Sequence, residues 1–298
     1  MKKNIMTGLL LLTATLVCAQ TYTEKITREM AFEKKGPDNA LIIANLNGHV
    51  TVTGYAGDKV LVEVTRTVSG KTAERLEKGK AELQLGVKDL ADTLIFYVDI
   101  AGACNQFGRD PKHNNNRRRG GWNYLWNEGK RCDGCQTVYD YSLDFVVKVP
   151  ESVHVLVSTI NKGNIVIRGV KGAVLAENIN GSVNMADLAR EAELTTINGD
   201  VTIDVQQNPA KACRFYTLNG DINANFRKGL GAELSFDSFN GEFYTDLDAI
   251  QPLPATLEKA TDGKGVKYKV NGNRYRVGAG GPLLNFETFN GNVYLRTN

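Results

Sequence analysis

The residues best suited to recognising a ligand are concentrated in one stretch, 101–136. This stretch contains both tryptophans of the chain, and its seven lysines and arginines outnumber its three acidic residues. Aromatic rings stack on sugars or bases, and guanidinium groups pair with phosphate or carboxylate. The pattern therefore predicts a ligand-binding loop, with a solvated insertion folded onto the protein wall as the alternative. The candidate binding residues are Arg117, Arg118, Arg119, Trp122, Tyr124 and Trp126.

The same stretch contains cysteines at a spacing that several chemistries share. Cys132 and Cys135 have CxxC spacing, and Cys104 and His113 precede them. A Cys₃His zinc site or a redox pair could use such residues. In an exported protein a disulfide competes with both, and we expect Cys104 to pair with Cys132 or Cys135. We therefore predict disulfide candidates here and no metal site.

A third group with chemical potential is a set of acids that recur in one position, namely Asp200, Asp221 and Glu242. Some β-helical enzymes that act on polysaccharides align carboxylates in this way. The alternative is that the position only requires a polar residue facing outward. The sequence contains no G-x-S-x-G, H-E-x-x-H, P-loop or dinucleotide-binding motif. We predict that the protein is not an enzyme and uses no cofactor.

These acids belong to an internal repeat. One phrase recurs, in which a small polar residue and a large apolar residue precede Asn-Gly, and a polar residue follows. A variant of the phrase with one inserted residue begins at Thr159 and contains Asn161. From Asn161 onward, successive asparagines of the phrase are spaced by 19, 18, 21, 21 and then 50 residues. Such a period fits one coil of short strands and is too short for a pair of helices. The repeated corner residues proposed as a structural ladder are Asn180, Gly181, Asn198, Gly199, Asn219, Gly220, Asn240, Gly241, Asn290 and Gly291.

The residues that flank Asn-Gly distinguish a hairpin from a corner. In a two-residue hairpin the flanking residues pair and point to one face. Here the preceding residue is apolar and the following one polar, as in Ile197 and Asp200. A hairpin would repeatedly combine the two on one face, although burial normally sets strand register. We therefore predict a corner, with asparagines of stacked coils about 4.8 Å apart in an amide ladder.

The predicted fold class is all-β, as a single parallel β-solenoid or β-helix-like domain of Asn-Gly coils. An antiparallel β-sandwich is the alternative. Lys71–Leu85 is predicted to be the one short helix, in the N-terminal part and against an end or side of the β body. Cys213 aligns with inward-facing positions of the preceding coil, which predicts a buried free thiol. The strand predictions before the repeat are Ile26–Phe32, Ala40–Thr53, Val60–Thr67, Thr93–Ile100 and Val138–Val149.

The N-terminus has the pattern of a secretory signal. Lys2 and Lys3 precede an apolar segment, and Val17-Cys18-Ala19 provides a cleavage site before Gln20. A lipid-carrying cysteine at Cys18 is the second interpretation. The expected organisation is a signal peptide at 1–19 and a β-solenoid domain at 20–298, with irregular insertions at 101–136 and 246–284.

Composition restricts the partners of the mature chain. The net charge of +3 falls to +1 once the two N-terminal lysines are removed. A nearly neutral body argues against nucleic-acid binding, which would need a basic face. No later segment is apolar enough for a membrane span, so we expect no transmembrane segment in the mature chain.

Two stretches resemble a known family. Leu41–Val52 with Gly54–Val60, and Val147–Pro150 followed by Val153–Val157 and the Asn-Gly coils, are similar to the bacterial DUF4097 family of β-strand-repeat proteins, known as "putative adhesins". The resemblance covers most of residues 25–298 except the two insertions. It implies a β-solenoid-like fold at or near the bacterial envelope, and it brings no catalytic residues with it.

These observations together predict a non-enzymatic exported protein that acts as an adhesin-like binding or scaffolding module. We expect it in the periplasm, at the outer membrane or on the cell surface, with a glycan, an anionic envelope component or another protein as partner. A purely structural or envelope-stress role is one alternative. A β-helix carbohydrate-active enzyme is the other.

The loop hypothesis leads to a direct test. The double substitution Trp122→Ala/Trp126→Ala removes two rings that would each contribute about 1–3 kcal/mol of stacking. We expect at least a tenfold loss of glycan or envelope-fraction binding, measured on glycan arrays and by pull-down. Binding equal to wild type would show that the loop is inert.

Overall fold

The computed structural model describes residues 20–101, 137–187, 190–247, 250–262, 265–271 and 273–298, with the backbone alone for 256–271. The predicted signal peptide and Cys18 lie outside the described residues. So do the loop candidates Arg117, Arg118, Arg119, Trp122, Tyr124 and Trp126 and the disulfide candidates Cys104, Cys132 and Cys135.

The described chain is all-β with one helix, and its strands form two large mixed sheets and a separate two-stranded sheet. The N-terminal elements are β1 (Gln20–Met30), β2 (Ala40–Ala44), β3 (Val50–Tyr55), β4 (Val60–Gly70), α1 (Ala73–Glu82), β5 (Leu83–Asp89), β6 (Thr93–Ile100) and β7 (Asp140–Pro150). The repeat region contains β8 (His154–Thr159), β9 (Ile165–Arg168), β10 (Val174–Asn178), β11 (Val183–Ala186), β12 (Ala192–Asn198), β13 (Val201–Asp204), β14 (Cys213–Asn219), β15 (Ile222–Phe226), β16 (Ala232–Asn240) and β17 (Phe243–Thr245). The C-terminal elements are β18 (Ile250–Pro252), β19 (Thr256–Asp262), β20 (Gly265–Asn271), β21 (Arg274–Val277), β22 (Leu283–Asn290) and β23 (Val293–Thr297).

Strands before and after each Asn-Gly lie in different sheets. Sheet A has the order β1-β4-β7-β3-β9-β11-β13-β15-β23-β17, and sheet B has the order β18-β21-β16-β22-β14-β12-β10-β8-β2-β6-β5. Asn-Gly is therefore a corner between sheets and does not close a hairpin. We define a repeat unit as one sheet B strand, its corner and the following sheet A strand. In stacking order the units are β2–β3, β8–β9, β10–β11, β12–β13, β14–β15, β22–β23 and β16–β17.

Neighbouring units pair in parallel and in constant register. Val183 pairs with Val201, and Val201 in turn pairs with Ile222. All three side chains are buried, because alternate residues of each strand face the space between the two sheets. Antiparallel pairing occurs at the ends of the sheets, as between β1 and β4, β5 and β6, and β16 and β21.

The stacking order of the units differs from their order in the chain. The last unit of the sequence, β22–β23, lies between β14–β15 and β16–β17. Phe286 pairs with Phe215 on one side and with Phe236 on the other, with ring centroids 5.2 and 5.3 Å apart. Asp221 and Glu242 therefore do not lie in adjacent units, because the final unit separates them. The segment from Asp246 to Pro282 connects β17 to β22, and it contains strands β18–β21.

Three N-terminal predictions need correction. The strand predicted at Ile26–Phe32 is β1, which covers Gln20–Met30. Ala40–Thr53, predicted as one strand, is divided into β2 and β3 by the corner at Asn47. The helix occupies Ala73–Glu82 and not Lys71–Leu85, with Thr72 as its N-cap. It ends early because the Leu83 side chain is fully buried in the core and its backbone pairs with β6. The helix packs against β4, as the predicted position at an end or side of the β body requires.

The close stacking of the corners predicts a severe effect of a single added methyl group. A Cβ on Gly220 would lie 2.1 Å from the carbonyl oxygen of Gly199. Gly220→Ala should lower the free energy of unfolding by about 3 kcal/mol, measured by urea denaturation. Gly36→Ala is the control, since no atom lies within 4 Å of its added Cβ. Equal urea midpoints for the two variants would contradict the corner geometry.

Candidate functional site

The corner asparagines form a column of side-chain hydrogen bonds. The Nδ2 of Asn198 donates to Oδ1 of Asn180 at 2.8 Å, and the Nδ2 of Asn219 donates to Oδ1 of Asn198 at 2.9 Å. Asn290 continues the column onto Asn219, and Asn240 continues it onto Asn290. Every bond runs in the same direction, so each unit donates to the unit before it in the stack.

A second column lies inside the protein and was not identified from the sequence. The threonine two positions before the asparagine points inward in three consecutive units, and its hydroxyl donates to a glycine carbonyl of the preceding unit. Thr196 donates to Gly181 at 2.7 Å and Thr217 donates to Gly199 at 2.8 Å. The recurrence of a small polar residue at this position was the available signal. Its meaning depended on the strand direction at the corner, which the sequence does not show.

The corner acids form the third column. Oδ1 of Asp200 accepts the backbone N–H of Asp221 at 2.9 Å, and Oδ1 of Asp221 accepts the backbone N–H of Asn292 at 2.7 Å. Asn292 in turn accepts from the backbone N–H of Glu242. These carboxylates therefore bond to the backbone of the next unit, which is a structural use of the residues that a glycosidase would employ as acid and base.

The apolar residue before each asparagine faces outward on sheet B. The side chains of Ile197 and Leu218 are half-buried, but those of Phe289 and Phe239 are 43% and 74% exposed. The column is therefore most exposed at the end of the stack formed by β16–β17. The sequence shows that these residues are apolar, but it does not show that they lie outside the core.

An open trough lies on sheet B. It has a volume of about 590 Å³ and crosses the first residues of β8, β10, β12, β14 and β22. Leu156, Leu175 and Leu283 give it an apolar lining, and Glu193 and Arg214 give it a polar margin. This volume lies within the range of small-molecule sites, where a mainly apolar lining is combined with a few polar groups.

One cation connects two acids beside this trough. The Arg214 guanidinium contacts Glu193 at 3.1 Å and Glu287 at 3.0 Å, so it joins three neighbouring strands. All three side chains are more than a third exposed, so these ion pairs contribute little to stability. Their effect on a ligand is orientation, because they fix charge at one side of an apolar floor.

Glu177 is a buried acid on the strand that supplies Leu175 to the trough. Its side chain is on the outer face of sheet B, yet the residue is only 8% exposed. Burial, together with the nearby Glu193 carboxylate, raises the pKa of Glu177 from 4.5 to about 7. The carboxyl group is therefore partly protonated near neutral pH.

Cys213, the first residue of β14, is one of the residues that line the trough. The residue is 4% exposed and its thiol is free, which confirms the predicted buried thiol. Burial raises the pKa of this thiol to about 11, so it stays protonated at neutral pH. A protonated, buried thiol is a poor nucleophile and a poor metal ligand.

The described residues contain no group of three or more histidines, cysteines or acids placed to hold a metal ion. His113 and the CxxC motif, which raised the possibility of a zinc site, lie outside that part of the chain. Likewise, no helix in the described ranges is long and apolar enough to cross a bilayer.

Comparison with known proteins gives structural likenesses at low identity. Neither a family model nor a curated protein matches the sequence, so the resemblance to DUF4097 stays a prediction. A "putative cell adhesion protein" from Clostridium sporogenes is 8% identical, with 93% of this chain and all of that chain covered and a TM-score of 0.39. A "putative adhesin" from Bacteroides fragilis is 13% identical, with 92% and 97% covered and a TM-score of 0.38. A "putative lipid binding protein" from Parabacteroides distasonis is 11% identical, with 91% and 96% covered and a TM-score of 0.28.

The raised pKa of Glu177 predicts how stability depends on pH. Because the folded protein holds this proton more tightly than the unfolded chain, the contribution of Glu177 to stability is lost as pH rises from about 4.5 through 7. Glu177→Gln should remove this decline and raise stability at pH 8 by about 2 kcal/mol, measured by urea unfolding across pH.

The matched control is Asp237→Asn, an exposed acid at the equivalent position of the β16–β17 unit. Its effect on stability should stay within about 0.5 kcal/mol at every pH. If Glu177→Gln has the same pH profile as wild type, Glu177 is not desolvated in the folded protein.

Proposed function

We propose that this chain is an exported, non-enzymatic binding or scaffolding protein of the bacterial envelope, with a parallel β-solenoid as its body. The constant parallel register between units supports the solenoid, as in the pairing of β11 with β13 and of β13 with β15. The signal pattern in residues 1–19 supports export, and the locations we propose are the periplasm, the outer membrane or the cell surface.

The observation that carries the binding role is the trough on sheet B. An open depression of about 590 Å³ with Leu156, Leu175 and Leu283 in its lining keeps apolar surface in contact with water. Covering that surface with a partner is favourable, at about 25 cal/mol for each Å² buried. The trough crosses successive strands, so it suits an elongated partner that lies along the stack.

The chemistry of the partner follows from the lining and its margin. An apolar segment would contact the leucines, while Glu193, Glu287 and Arg214 would orient polar groups beside it. A glycan presents apolar ring faces with hydroxyl groups, and a peptide presents apolar side chains with amides. Envelope glycans and envelope proteins are therefore the partners we propose for this surface, together with an anionic component for the basic loop at 101–136.

The corner acids argue for a structural use and not for glycoside hydrolysis. Asp200 and Asp221 each accept a backbone N–H from the adjacent unit. A catalytic acid and base must be free to exchange protons with the substrate and water. The hydrogen bonds of these two acids support a non-enzymatic role.

The test is binding to a fractionated envelope preparation from the source bacterium, separated into lipid, glycan and protein. Leu156→Glu/Leu175→Glu places two charges on the floor of the trough, and we expect at least a tenfold loss of binding to one of the fractions. Leu90→Glu, at a leucine that is 47% exposed and outside the trough, is the control and should bind as wild type.

Thermal unfolding of each variant checks that folding is intact. Wild-type protein that binds none of the fractions would favour the purely structural alternative. Equal binding by all three proteins would show that the trough is not the binding surface.

A further inference from the structure

The unit β16–β17 ends the stack and leaves an open edge. Strand β17 is the last strand of sheet A, and in sheet B the covering strand β21 pairs only with Ala232–Ser235 of β16. From Asp237 to Asp246 nearly every residue is exposed. We infer that Asp237–Thr245 binds an extended segment of a partner protein, which adds as a further strand. This inference deepens the proposed binding function by naming a second surface and its ligand class.

The direction of the corner hydrogen bonds determines what the edge offers. Each unit donates from its Asn Nδ2 and its backbone N–H to acceptors of the unit before it. At the end of the stack, the Nδ2 of Asn240 donates to Oδ1 of Asn290, and the backbone N–H of Glu242 donates to Oδ1 of Asn292. Oδ1 of Asn240 and the Glu242 carboxylate are then the acceptors that a following unit would use. The carboxylate is otherwise bonded only to the neighbouring Tyr244 hydroxyl among the described residues.

Two aromatic rings of the last unit also have a face that no following unit covers. The Phe239 ring stacks on Phe289 with centroids 4.8 Å apart and planes 5° apart, and Tyr244 stacks on Tyr294 at 5.1 Å and 10°. Phe239 is 74% exposed and Tyr244 is 45% exposed, so the face of each ring away from the stack is open to solvent. A ring on an added strand could stack on either face, at about 0.5–1.5 kcal/mol beyond the burial of its area.

The chemistry of the edge favours a heterologous partner. Two copies of this edge would bring Asn240 acceptors and Glu242 carboxylates against one another, which costs free energy. The other end of the stack is covered, since β3 pairs with β7 and β2 pairs with β6. The ligand we assign is therefore an extended peptide with amide or cationic donors and an aromatic residue, bound by β-strand addition.

The experiment uses the full-length protein and a synthetic peptide with the sequence of Thr288–Arg296. This peptide is the probe because the same segment already stacks on β16–β17 from the other side, with two aromatic rings and an asparagine in register. We expect saturable binding by fluorescence anisotropy. Affinity should fall at least tenfold for Phe239→Ala/Tyr244→Ala, and for a peptide in which alanine replaces the residue corresponding to Asn290.

The matched control is Leu218→Ala, which shortens the equivalent outward residue of the interior unit β14–β15 and should leave peptide affinity unchanged. Hydrogen exchange locates the peptide. Slower exchange at Phe243–Thr245 supports addition at the free edge, whereas faster exchange at Val293–Thr297 would mean displacement of the final unit and would overturn the inference.

Three further outcomes would overturn it. These are no saturable binding, equal affinity for all variants, and self-association of the protein that is lost in Phe239→Ala/Tyr244→Ala. The trough variants separate this inference from the proposed function. Envelope binding that depends on Leu156 and Leu175, without any peptide binding, would contradict only the inference about the edge. Peptide binding without envelope binding would contradict only the proposed role of the trough.

Discussion

Backbone-to-backbone contact at the glycine corners is the constraint on which the rest of the stack depends. At Gly199 and Gly220 the chain approaches the glycine carbonyl of the neighbouring unit so closely that a Cβ would overlap it. That approach lets the asparagine amides, the inward hydroxyls and the corner carboxylates each reach the next unit. Because the Thr196, Thr217 and Thr288 hydroxyls donate to glycine carbonyls of the neighbouring unit, these buried donors are paired although they lie between two sheets.

The position of the final unit follows from the same constraint. A unit in mid-stack needs a neighbour on each side, and β22–β23 supplies one to both β14–β15 and β16–β17. The stacked phenylalanines Phe215, Phe286 and Phe236 fill the core at this place. The contacts of β22–β23 with β14–β15 span about 70 residues of sequence, and loop-closure entropy makes such contacts slow to form. The unit β22–β23 therefore lies next to the end of the stack and not at the end itself.

Using polar residues to hold the corners determines where recognition can occur. The carboxylates of Asp200 and Asp221 already accept hydrogen bonds from backbone N–H groups. The regular part of the stack therefore has few free polar groups at its corners. Groups that remain available lie where the repeat is interrupted or ends. The trough follows the starts of the sheet B strands, and the exposed rings Phe239 and Tyr244 mark the last unit. The binding roles proposed for these two surfaces both follow from the pattern that builds the body.

The sequence alone determined that the chain is all-β and repetitive, and that Asn-Gly is a corner. It could do so because alternation of apolar and polar residues and the mismatch across Asn-Gly are local properties of the strands. It also identified the buried Cys213 by its alignment with inward positions. Only the tertiary structure decided that β22–β23 lies inside the stack, since identical corner phrases give no information about the order in which units pair. It also showed that the threonines face inward and the large apolar residues face outward at the corner. Strand direction and the space beside each glycine fix those orientations, and both depend on neighbours distant in the sequence.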